Sequence, residues 1–114
     1  MAARPQVRAA LDEQGDLRLF EEADILQRVL DGEAWLWMCG ESAAVVDVIQ
    51  YPRCRSIRYV VAGGKMADIH AMEPVALEWA KRTFGVVFAE YLGRKGWLRE
   101  LGFKPWLMHG WKEI

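Results

Sequence analysis

Residues 34–64 read AWLWMCGESAAVVDVIQYPRCRSIRYVVAGG, and this stretch decides the fold. Apolar runs rich in Val, Ile and aromatic residues are separated by two short turn signals, Gly40-Glu41-Ser42 and Pro52-Arg53. Runs of this length and composition predict three strands, at 34–39, 43–51 and 56–62, joined as an antiparallel meander. Gly63-Gly64 closes the meander.

On the amino-terminal side the period changes from that of strands to that of helices. Between 17 and 30 the apolar residues Leu17, Phe20, Ala23, Leu26, Val29 and Leu30 recur at three- and four-residue spacing. Glu21, Glu22, Asp24, Gln27 and Arg28 fill the opposite face, which predicts one amphipathic helix stopped by Asp31-Gly32. A shorter helical segment, 6–14, is opened by Pro5 and interrupted by Gly15-Asp16.

Beyond the meander a helix is expected over 67–83. Ile69, Met72, Val75, Ala76, Trp79 and Ala80 would face inward, with Glu73, Glu78, Lys81 and Arg82 outward. Pro74 falls inside this span and predicts a kink or a restart, and Gly85 ends the helix. A strand at 86–91, a short helix at 94–101 capped by Gly102, and a last strand at 106–114 complete the chain. The expected fold is α+β, in the order α-α-β-β-β-α-β-α-β, with helices covering a mixed sheet. It forms one domain over 1–114, helical in 1–32 and carrying the sheet and two helices in 33–114.

Composition narrows the function classes. A net charge of −1 exerts no long-range pull on nucleic acid or an anionic membrane, so neither is expected as the main partner. The apolar runs are too short for a membrane span, and Met1-Ala2-Ala3-Arg4-Pro5 leads into charge without an apolar signal region. Cys39 and Cys54 make no disulfide framework, which fits a reducing compartment and buried free thiols. Asn is absent, and the only hydroxyls are Ser42, Ser56, Thr83 and three tyrosines. His70 and His109 lie far apart and, with the cysteines, lack the paired spacing of a zinc site. No metal site is therefore expected.

The order of elements resembles the GNAT N-acyltransferase fold without its first strand. Residues 97–103, Trp-Leu-Arg-Glu-Leu-Gly-Phe, are similar to that family's final short helix and its Leu-Gly-Phe exit. A narrower resemblance, to small GNAT-like proteins of tailed phages and prophages, is carried by Trp35-Leu36-Trp37, Asp47 to Arg53, Ala62-Gly63-Gly64 and Gly93 to Trp97. The resemblance implies an acetyl-CoA loop after the third meander strand, where backbone N–H groups at a helix N-terminus hold pyrophosphate. Gly63, Gly64 and Lys65 stand there, with Arg94 and Lys95 near the cleft mouth, but the family's Gln/Arg-x-x-Gly-x-Gly/Ala spacing is incomplete. Leu98 occupies the position of the tyrosine that protonates the departing thiolate, and a leucine has no proton to give. The glutamate base and the helix-starting Asn are also unmatched.

Two readings follow. One is a non-catalytic module of a virion or its assembly, in the portal, internal or head–tail region, that contacts other virion proteins or copies of itself. It would work in the host cytoplasm during infection or in the particle, with no cofactor. Its contact residues would be Trp35, Trp37, Arg94, Lys95, Arg99, Trp106 and Trp111, since Trp and Arg are enriched at interfaces. The other is a small N-acetyltransferase holding acetyl-CoA at Gly63, Gly64 and Lys65, with Tyr59 or Tyr91 as the acid. The module is preferred because acid, base and Asn are three separate gaps. Met38, Met66, Met72 and Met108 are read as core, and Arg53, Arg55 and Arg58 as a solvated face. If the protein is an enzyme, Gly64→Asp is expected to abolish turnover while leaving assembly intact; if it is a module, the same change is expected to do little.

Overall fold

The computed structural model describes residues 21–91, 95–106 and 112–114. Its elements are α1 (Glu22–Leu30), β1 (Trp35–Cys39), β2 (Ser42–Gln50), β3 (Arg55–Gly63), α2 (Met66–Phe84), β4 (Phe88–Tyr91) and α3 (Lys95–Glu100). The four strands form one sheet in the order β1-β2-β3-β4, antiparallel through the meander and parallel between β3 and β4. The result is a mixed α+β fold with a four-stranded mixed sheet and three helices among the described residues.

Tight turns set the register. The two-residue loop Gly40-Glu41 pairs Cys39 with Ser42, and the ladder then runs to Trp35 opposite Val46 without a shift. Between β2 and β3, Val45 faces Val61 while Val46 faces Tyr59, so Val60 is an extra residue, a β-bulge that bends β3. The parallel pairing runs from Ser56↔Phe88 to Tyr59↔Tyr91. The described pairing of β3 with β4 ends at Tyr59↔Tyr91, immediately before the bulge at Val60, and β3 continues to Gly63.

β2 is buried on both faces because a helix lies over each. On one face Ile25 and Leu26 of α1 pack on Ala43 and Val45. On the other Ile69, Met72 and Ala80 of α2 pack on Ala44, Val46, Ile57 and Tyr59. Ile25, Val45 and Ile69 are fully buried, and truncating any one to Ala removes roughly 2–4 kcal/mol. Beside this core, Trp79 of α2 meets Trp35 and Trp37 edge-on at ring-centroid distances of 5.7 and 5.4 Å.

Several expectations change. The inward face of α1 is Ile25, Leu26 and Val29, whereas Leu30 is 72% exposed. α2 is one helix through Pro74, with no restart. Val75 is exposed, and Glu73, expected outside, is half-buried. The last strand, expected at 106–114, is not found at residues 106 or 112–114, which have no regular structure. Residues 107–111 lie outside the described residues, as does the short helix expected at 6–14. Cys39 and Cys54 are free, and both are half-buried rather than fully buried. Among the described residues no helix is long and apolar enough to cross a membrane.

Candidate functional site

The candidate site is built around the turn Gly63-Gly64-Lys65, which joins the carboxyl end of β3 to the start of α2. Gly64 has φ +117 and lies so close to β2 that a Cβ there would stand 2.7 Å from Ser42 Cα. Its glycine is thus required by backbone approach and by a left-handed conformation together.

The same turn is closed by side chains. Lys65 N–H donates to Ser42 Oγ at 2.8 Å, and the fully buried Ser42 hydroxyl donates to Asp68 Oδ2 at 2.6 Å. Asp68 stands in the first turn of α2, where a carboxylate is favourable against the positive end of the helix dipole. The position that an incoming anion would seek already holds a negative charge. Lys65 Nζ, largely exposed, lies 3.9 Å from Glu41.

A second group is aromatic. After α3 the chain exits through Gly102, and Phe103 N–H donates to Leu98 O at 2.8 Å. That exit sets Phe103 against Tyr59 and Tyr91, at ring-centroid distances of 6.2 and 6.0 Å. Trp97 stacks on Tyr91 at 6.3 Å, and Tyr59 meets Tyr91 edge-on at 5.6 Å. The Tyr59 hydroxyl donates to Glu73 Oε2 at 2.6 Å. Burial, with the bond to the Glu73 carboxylate next, drives the Tyr59 pKa far above the usual phenol range. Tyr59 therefore keeps its proton and directs it at Glu73.

The opposite face of the sheet carries a second polar group. Asp47, 2% exposed, accepts from Arg58 Nε at 3.0 Å, Arg58 Nη2 at 2.7 Å and Arg28 Nη2 at 3.0 Å. These bonds tie α1 to β2 and β3, and the Asp47 bond raises the Arg58 pKa. Next to them Tyr51 O–H donates to Glu90, 2.8 Å from Oε1, and this bond raises the Tyr51 pKa. The Tyr51 ring stacks on Phe88 at 6.0 Å.

Of the residues singled out in the sequence, Tyr59 and Tyr91 pack edge-on beside Phe103, while Gly63, Gly64 and Lys65 form the turn between β3 and α2. Arg94 and Trp111 lie outside the described residues, and Lys95 opens α3. Arg99 is exposed on α3, and Trp106 is 72% exposed. Trp35 and Trp37 are half-buried against α2. His70 is exposed on α2, and among the described residues no group of His, Cys, Asp or Glu could hold a metal ion. Arg58, expected in a solvated face, is bonded to Asp47 instead, and Arg55 Nη1 donates to Phe84 O at 3.1 Å. Asp47, Asp68, Ser42 and Glu73 do not stand out as site residues in the sequence. The one signal among them is a lone carboxylate inside the Val45-Val46-Asp47-Val48-Ile49 run.

The protein is thus a mixed α+β domain in which the turn at the start of α2 is closed by its own side chains. It is similar in fold to TTHA1254 of Thermus thermophilus. The crystal structure of a point mutant of that protein matches with a TM-score of 0.60 at 12% identity, covering 97% of this chain and 92% of the other. The wild-type crystal structure matches with a TM-score of 0.58 over the same shares and at the same identity. At that identity the likeness shows the fold alone. No family model matches the sequence, and no curated protein matches it.

Proposed function

We propose that this chain is a non-catalytic binding module on a GNAT-like frame, of the kind its phage and prophage resemblance implies, serving in a virion or its assembly. The carrying observation is the closed turn at the start of α2. Lys65 N–H is taken by Ser42, and Asp68 puts a carboxylate where the frame's enzymes hold pyrophosphate. Gly64, which the cofactor reading needs as a phosphate contact, is accounted for by its approach to Ser42. Tyr59, one of the two stand-in acids, has its proton engaged by Glu73. The contact surface of the module would include the exposed Trp106 and Arg99.

The alternative is an acetyl-CoA-dependent N-acetyltransferase, which would hold its cofactor at the glycine turn Gly63-Gly64-Lys65 between β3 and α2. Melting the protein with and without acetyl-CoA and free CoA separates the two. A ligand at a hundred times its dissociation constant adds about 2.7 kcal/mol of stability. For a chain of this size that is a rise on the order of 10 °C. The expected result is no shift at millimolar CoA. A rise of that order would overturn the module and install the acyltransferase.

A further inference from the structure

We draw no further inference here: the strongest candidate, the side-chain cluster of Tyr51, Phe88 and Glu90 where the β2–β3 turn meets β4, has its carboxylate bonded within the cluster, and nothing in the structure shows what covers the exposed Phe88 ring.

Discussion

Replacing Asp47 by Ala removes the acceptor that joins α1, β2 and β3. Its side chain is 3% exposed and accepts three charge-assisted bonds, two from Arg58 and one from Arg28. Breaking a buried ion pair from one side costs roughly 3–5 kcal/mol, largely because the stranded charge keeps its desolvation. Here the stranded groups are arginines whose side chains are 31% and 43% exposed, so they regain water and the lower end applies. About 3 kcal/mol is expected, against a total stability on the order of 10 kcal/mol. At about 4 °C per kcal/mol for a chain of this size, the melting temperature should fall by about 12 °C. Urea denaturation at neutral pH should report the same loss with an unchanged m-value. Arg28→Met, which removes one bond at the exposed rim, should cost only about 1 kcal/mol. If Asp47→Ala stays within 1 kcal/mol of wild type, the carboxylate is hydrated in solution and the clamp between α1 and the sheet does not exist.

Two other perturbations separate structural causes that look alike in the sequence. Gly64→Ala should destabilise by several kcal/mol or prevent folding, since its Cβ meets the Ser42 backbone. Gly85→Ala, at φ 67 with nothing within 4 Å of the added atom, should cost only about 1–2 kcal/mol in a chemical melt. By the same contact Gly64→Asp disrupts the fold itself, so it cannot serve as a loop-specific probe of cofactor use. For Tyr59 the folded state holds a proton that the unfolded chain releases near the ordinary phenol value of 10.0. Stability should therefore be level below that pH and fall as pH rises past it, and melts from about pH 8 to 11 should show a shallower fall in Tyr59→Phe.

The meander is legible in the sequence because each of its strands is bounded by turn chemistry, although Ser42, taken with the turn Gly40-Glu41-Ser42, proves to be the first residue of β2. The polar anchors are not legible because each depends on what lies across from it. Asp47 in an alternating strand reads as the outward residue of a one-sided sheet, and it is buried only because α1 crosses that face. Ser42 and Asp68 are 26 positions apart, and their bond follows from the placement of α2 behind the first hairpin. Pro74 misleads for a different reason. Its missing N–H frees the carbonyl four residues back, at His70, and His70 is exposed. Where water reaches that carbonyl, a helix can continue through a proline that would break it in a dry interior. Glu73 and Val75 flank that proline, and each takes the face opposite to the one its polarity suggests.

The closed turn also bounds what the alternative function would have to overcome. A pyrophosphate arriving at the start of α2 would meet the Asp68 carboxylate and a Lys65 N–H already donated to Ser42. Seating the anion there requires that the Ser42–Asp68 bond open and that Asp68 swing away. A hydrogen bond to a charged group contributes about 1.5–3 kcal/mol, so the displacement alone weakens binding roughly 10- to 150-fold. Like-charge repulsion from any Asp68 orientation that remains in the first turn adds to this. A frame that binds CoA through helix-terminal N–H groups gains from a bare turn, whereas this turn is stapled from within.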